Sequence, residues 1–222
     1  MDTRLSAVVL RVAAAAKRAG RAAGSVRVVA VTKDASDAAL LAVYEAGGRD
    51  FGENRADHLV ARASLLPEDI RWHFIGRLQG NKVKTVRPVV HLLHSLDRAA
   101  LAAYWTDGAK TVPPALVQVN VSGEPQKAGV APGDAARLVE EAIGAGIDVR
   151  GLMTIPPVVS DAEGSRPHFA ALRELRDRLQ GEFPTLRELS MGMTDDYEVA
   201  VEEGATILRV GRAIFRASPE EG

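Results

Sequence analysis

A parallel (β/α)8 barrel is the architecture this sequence predicts, on three observations. Eight short strand-like runs, several of them rich in β-branched residues, alternate with stretches rich in Ala, Leu, Glu and Arg, and the chain is 222 residues long. Strand followed by helix, repeated along a chain, produces a parallel sheet. Eight such units close into a barrel within about 200 to 250 residues when the loops are short. An open doubly wound sheet is the competing architecture. Against it, the first strand-to-helix turn is Thr32-Lys33-Asp34, with no glycine-rich dinucleotide fingerprint.

The elements follow in order. Residues 3–19 carry an alanine run at 13–16 and form an amphipathic helix, stopped by Gly20 and Gly24. The eight strands are expected at 28–32, 49–52, 72–75, 89–94, 116–121, 149–155, 186–191 and 206–210. Helices are expected at 37–46, 134–145 and 169–180, the last with Phe169, Leu172, Leu175 and Leu179 at helical spacing. No Pro or Gly cluster marks an internal linker. The expectation is therefore one domain, with residues 1–24 as helix and lead-in, 25–216 as barrel and 217–222 as tail.

Composition removes several function classes. The chain has 28 Lys and Arg against 29 Asp and Glu, a formal net charge of −1, which argues against a general nucleic-acid binder. The absence of cysteine excludes a disulfide framework, a thiolate metal site and a catalytic thiol, and suits a cytoplasmic protein. Arg11, Lys17 and Arg18 interrupt the first apolar stretch, so neither a signal peptide nor a membrane span is expected. His73, His91 and His94 lack metal-ligand spacing and are expected in core or capping roles. The basic run Arg77, Lys82, Lys84 and Arg87 reads as a solvated helix face, and Trp72 and Trp105 as packing residues.

Barrel active sites lie at the C-terminal ends of the strands, so the polar residues there are the candidates. They are Lys33; Glu53 and Asn54; His73 and Gly76; His94, Ser95 and Asp97; Asn120 and Ser122; Met153 and Thr154; Ser190 to Met193; and Arg209, Gly211 and Arg212. A lysine at the inner end of an apolar strand is poorly hydrated, which favours the neutral amine needed for a Schiff base. The alternative is a surface lysine just past a strand. Ser190-Met191-Gly192-Met193-Thr194 leads into a helix expected near Asp195, with Glu198 completing a capping box. Together with Gly211 this makes a phosphate cradle, since loops after strands seven and eight commonly hold phosphate; a plain helix cap is the alternative.

The motifs coincide in order with a known family. They are Ala30-Val31-Thr32-Lys33, Phe51-Gly52-Glu53-Asn54-Arg55, Trp72-His73-Phe74-Ile75-Gly76-Arg77-Leu78-Gln79 and His94-Ser95-Leu96-Asp97. They continue with Gln118-Val119-Asn120-Val121-Ser122-Gly123-Glu124, Gly151-Leu152-Met153-Thr154-Ile155-Pro156, Ser190-Met191-Gly192-Met193-Thr194-Asp195-Asp196 and Arg209-Val210-Gly211. Through them the chain resembles the pyridoxal phosphate homeostasis proteins, which are similar to the N-terminal barrel domain of alanine racemase. The resemblance implies that Lys33 holds pyridoxal 5′-phosphate (PLP) covalently as an internal aldimine. It implies that Ser190, Met191 and the backbone around Gly211 and Arg212 bind the phosphate. It sets Arg209 against the pyridine nitrogen, with Asn54, Ser95 and Met153 lining the ring pocket.

An arginine there has a physical consequence: a guanidinium only donates hydrogen bonds, so it leaves the ring nitrogen unprotonated and weakens the cofactor as an electron sink. Three positions depart from the family pattern. Asp34 stands where a second Thr-Lys pair is common, Arg212 where Ser or Thr is common, and Arg216 where Gly is common.

The resemblance implies a monomeric, cytoplasmic PLP carrier or buffer with little turnover, and apo PLP-dependent enzymes as recipients. An amino-acid racemase is the alternative. It requires a second base opposite Lys33, and Tyr44, Tyr104 and Tyr197 all fall on expected helices or their starts. A Schiff-base aldolase acting on a sugar phosphate is a third reading.

Overall fold

The computed structural model describes residues 4–215. Eight parallel strands close in sequence order: β1 (Arg27–Val31), β2 (Asp50–Glu53), β3 (Arg71–Phe74), β4 (Val90–Leu96), β5 (Ala115–Gln118), β6 (Val149–Met153), β7 (Glu188–Ser190) and β8 (Ile207–Val210). The last strand returns to the first, with Arg27 opposite Ile207 and Ala30 opposite Val210. That pairing excludes the open doubly wound sheet. Outside the strands lie α1 (Arg4–Arg18), α2 (Asp37–Glu45), α3 (Ala56–Leu65), α4 (Val83–Val86), α5 (Ala99–Thr106), α6 (Ala135–Gly144), α7 (Arg166–Gln180), α8 (Tyr197–Glu202) and α9 (Arg212–Phe215).

Local chemistry accounts for the helix ends. Val8, Val12, Ala15 and Ala16 bury one face of α1, and Gly20 leaves the helix at φ 69°. The Ser36 hydroxyl caps α2 by accepting the Ala39 N–H. Pro167 in its first turn lets α7 begin at Arg166, three residues before the expected start. α1 lies against α8, where Arg11 and Arg18 both reach Glu198 and Arg21 donates to the Val201 and Ala205 carbonyls.

Two apolar layers result. Val29, Leu92, Leu116, Met153 and Ile207 fill the barrel interior. A larger layer, including Trp72, Trp105 and Phe169, fills the space between strands and helices. Among the described residues no helix is long and apolar enough to cross a membrane.

All eight expected strands form, with shifted ends. β4 continues through Leu96, so His94 and Ser95 lie within a strand and are fully buried. β5 stops at Gln118 and β6 at Met153, each short of its expected end. In the basic run, Arg77 pairs with Asp97 and Lys84 with Asp107, but Arg87 is half-buried and donates to the Trp105 and Asp107 carbonyls at the C-terminal end of α5. The expected helix start at Thr3, the tail 217–222 and Arg216 lie outside the described residues.

Leu116 is fully buried in the interior layer. Leu116→Ala is expected to lower the unfolding free energy by about 2–5 kcal/mol, read as a shift of the urea midpoint without a change of slope.

Candidate functional site

The loop carrying Lys33 is held by one buried ion pair. Glu53, at the end of β2, is fully buried. One of its oxygens accepts the Asn54 N–H at 2.8 Å; the other accepts the Thr32 hydroxyl at 2.9 Å and Arg62 from α3 at 2.7 Å. Arg62 also donates to the Thr32 carbonyl at 3.0 Å and the Ala35 carbonyl at 2.6 Å. A single guanidinium therefore grips the chain on both sides of Lys33 and Asp34. Lys33 itself is exposed, contrary to the poor hydration expected of it, because β1 ends at Val31 and the lysine projects past the strand.

Lys33 projects into a cavity of about 650 Å³ at the C-terminal mouth of the barrel. That volume lies within the usual range for small-molecule sites, roughly 300–1,000 Å³. Asn54, Arg209, Gly211 and Arg212 share the wall with Lys33, together with Ile75, Gly76 and Ile155. Gly76 has no substitute here, since a Cβ would lie 2.1 Å from the Asn54 carbonyl oxygen. The contact presses β3 against the Asn54 backbone. The Asn54 side-chain oxygen is buried without a hydrogen-bond partner. It is an acceptor in search of a donor.

Four of the expected site residues are not on this wall. Ser95 is turned into the strand layer and donates to the Gly76 carbonyl at 2.5 Å. Met153 belongs to the barrel interior below the cavity, and Met191 to the layer between strands and helices. Ser190 is fully buried, accepting from Arg209 at 2.7 Å and contacting His94 Nδ1 at 2.8 Å. Its hydroxyl supports the wall from behind.

The expected capping box does not form. α8 begins at Tyr197, and Glu198 turns outward to Arg11 and Arg18. Asp196 fastens the preceding turn instead, accepting the Met193 N–H at 2.7 Å and the Ser165 hydroxyl at 2.9 Å. Gly192, at φ 92°, lets that turn pack on α8, where a Cβ would meet Ala200 at 2.4 Å. Arg212 opens α9, so its N–H has no partner within the helix, while its guanidinium pairs with Asp195 at the rim.

Arg209 is the least expected part of the geometry, because it is a cation only 3% exposed. It donates to Ser190 and, at 2.8 Å, to the Thr154 carbonyl. Burial pushes it down to about 10, partly offset by Asp196, so it remains charged near neutrality. Behind it, Ser190 meets His94, His94 Nε2 meets His73 Nδ1 at 2.8 Å, and His73 Nε2 meets Asp50 at 3.1 Å. Asp50 takes a two-point grip from Arg71 at 2.9 and 2.6 Å. Burial opposes ionisation of Asp50, but hydrogen bonds from Arg71 and His73 outweigh it and hold the carboxyl below its ordinary range. Burial pushes His73 down and His94 well down.

Arg62 and Asp50 were not singled out by strand-end reasoning. Arg62 gives no sequence signal, since its contacts to Thr32 span 30 residues. Asp50 gives little more, as a carboxylate at the start of a four-residue strand that also ends in one.

Fold and site together define a barrel protein with a small-molecule cavity at its C-terminal mouth, where a lysine, an arginine and free backbone donors suit an anionic ligand. No protein-family model matches the chain. A pyridoxal phosphate homeostasis protein of Aquifex aeolicus is 43% identical over 218 residues, 96% of each chain. PipY of Synechococcus elongatus, solved with PLP bound, superposes with a TM-score of 0.77 at 33% identity, over 92% of this chain and 99% of that one. Alanine racemase from Corynebacterium glutamicum shares the fold, with a TM-score of 0.71 at 13% identity over 98% of this chain and 63% of that one. The chain belongs to the pyridoxal phosphate homeostasis protein family.

Arg62→Met leaves the Glu53 carboxylate buried without its cation and is expected to cost about 3 kcal/mol in urea unfolding. Asp50 gives a pH test. Its folded pKa lies below the unfolded value of about 3.9, so its contribution is complete above that value and is lost as pH falls through and below it. The stability advantage of the native protein over Asp50→Asn should therefore hold from about pH 7 to about pH 5 and shrink from there to about pH 2, measured as the difference in urea midpoints at each pH.

Proposed function

We propose that this protein binds PLP covalently through the Lys33 amine and acts in intracellular PLP homeostasis. It would serve as a monomeric cytoplasmic carrier or buffer that supplies apo PLP-dependent enzymes, with little turnover. The observation that supports this most directly is that Lys33 and Arg209 line one cavity from opposite sides of the β1/β8 seam. Membership of the family and the PLP-bound structure of PipY point the same way.

The residues present fit the cofactor. Asn54 offers an unpartnered buried acceptor to a ring substituent, and Gly211 with the Arg212 N–H offers a close backbone approach to the phosphate. Bound PLP would supply an aldehyde able to condense with an amine. The chain's own part is to orient the Lys33 loop through Arg62 and to present a charged, donor-only Arg209. A donor-only neighbour withholds the proton that a ring nitrogen needs to become a strong electron sink, which favours holding over turnover.

The racemase reading finds less support. Among the described residues lining the cavity there is no tyrosine or histidine to act as an opposing base.

Mixing the purified protein with PLP should produce a yellow absorption band that borohydride reduction fixes to Lys33, and Lys33→Ala should abolish it. A colourless mixture would sink the proposal. Solvent deuterium exchange at the α-carbon of a panel of amino acids separates carrier from racemase: negligible exchange is expected, and rapid inversion of any one of them would establish turnover.

A further inference from the structure

We propose that Asp50, His73, His94 and Ser190 form a one-directional hydrogen-bond relay through the barrel that fixes the orientation of the Ser190 hydroxyl and so positions Arg209 at the cavity wall. The relay stands on geometry alone; its effect on cofactor retention rests on the PLP reading above.

The direction follows from the two ends. Arg209 can only donate, so the Ser190 oxygen accepts from it. Asp50, gripped at two points by Arg71, is ionised and can only accept, so His73 carries its proton on Nε2. A neutral His73 then presents a bare Nδ1, which must accept from His94 Nε2–H. His94 in turn presents a bare Nδ1 to the Ser190 hydroxyl, which donates to it. Each group gives one proton and takes one, and no link is left over. The opposite order would set the bare Nε2 of His73 against the Asp50 carboxylate, lone pair against negative charge.

Burial makes this order consequential. His73, His94 and Ser190 are fully buried, so water is not at hand to mend a reversed link. Among the described ion pairs Arg209 has no carboxylate partner. Asp196, whose charge favours the cation, spends its oxygens on Met193 and Ser165. What holds Arg209, beside the Thr154 carbonyl, is the Ser190 hydroxyl, and the relay behind it ends on the Asp50 carboxylate, itself paired with Arg71, on the first residue of β2 and so at the opposite end of the barrel from the cavity. His73, His94, Ser190 and Asp50 are positioning residues in this scheme; none of them lines the cavity.

Nitrogen-15 NMR of the full chain without PLP tests the order directly. Both His73 and His94 should show the Nε2–H tautomer, and Nδ1–H at either ring would overturn the relay. In Asp50→Asn the terminal group can donate, so the order is free to reverse, and His94, which does not touch Asp50, should gain Nδ1–H character. An unchanged His94 in a folded Asp50→Asn protein would count against the proposal; if that variant does not fold, the native tautomers still decide.

Cofactor retention supplies the second arm. His94→Phe severs the chain and should weaken PLP binding about tenfold, equivalent to 1.4 kcal/mol. His94→Gln, which can accept from Ser190 and donate to His73, should recover most of that loss. Equal losses in both would overturn the positioning role. Failure of the native protein to bind PLP would overturn the cofactor reading, while the NMR arm would still support or refute the relay.

Discussion

Burying the Arg209 guanidinium inside the barrel mouth is the constraint around which this structure is arranged. A buried cation with unmet donors is costly, and the interior must supply acceptors where barrels usually place aliphatic side chains. The Thr154 carbonyl and the Ser190 hydroxyl do so. Each of these is fixed in turn: the Thr154 N–H bonds to the Ser190 carbonyl and its hydroxyl to the Val119 carbonyl, tying β5, β6 and β7 together beneath the site. The polar interior of the upper barrel follows from that one charge, while Val29, Leu92, Leu116, Met153 and Ile207 keep an apolar layer.

The architecture was largely legible because its signals are local. Short strand-like runs alternating with helical stretches mark eight strands whatever their tertiary partners, and every one of them forms. Strand ends are less local, and the site depended on them. Reading Ser95 and Ser190 as strand-end ligands assumed that a polar residue near the end of an apolar run faces the mouth. β4 instead runs on to Leu96, which draws His94 and Ser95 into the wall, and Ser190 ends β7 facing inward. Lys33, Asn54, Gly211 and Arg212 reach the cavity because each lies beyond the end of its strand, while Arg209 reaches it from within β8, one residue before the last pairing. Arg62 was invisible for a different reason. It lies on α3, a helix the sequence analysis did not single out, and nothing in 56–65 announces a contact to carbonyls 27 and 30 residues earlier.

The two cations of the site are supported by separate means, and the difference bears on what each can do. Arg62, paired with Glu53, clamps backbone, so the Lys33 loop is held by its carbonyls while the lysine side chain stays exposed. Arg209 is held by its own side-chain donors in a nearly solvent-free wall and has little freedom to move. An exposed amine facing a buried guanidinium would suit a site that, as proposed, takes up and releases its ligand without losing its shape. If both groups were locked, exchange would need the barrel itself to open; if both were loose, ordering them would weaken binding at each event. Burial thus sits on Arg209 and exposure on Lys33, the residue proposed to react. The exposure of Lys33, which departs from the strand-end expectation, would serve the exchange of ligand that the proposed function needs.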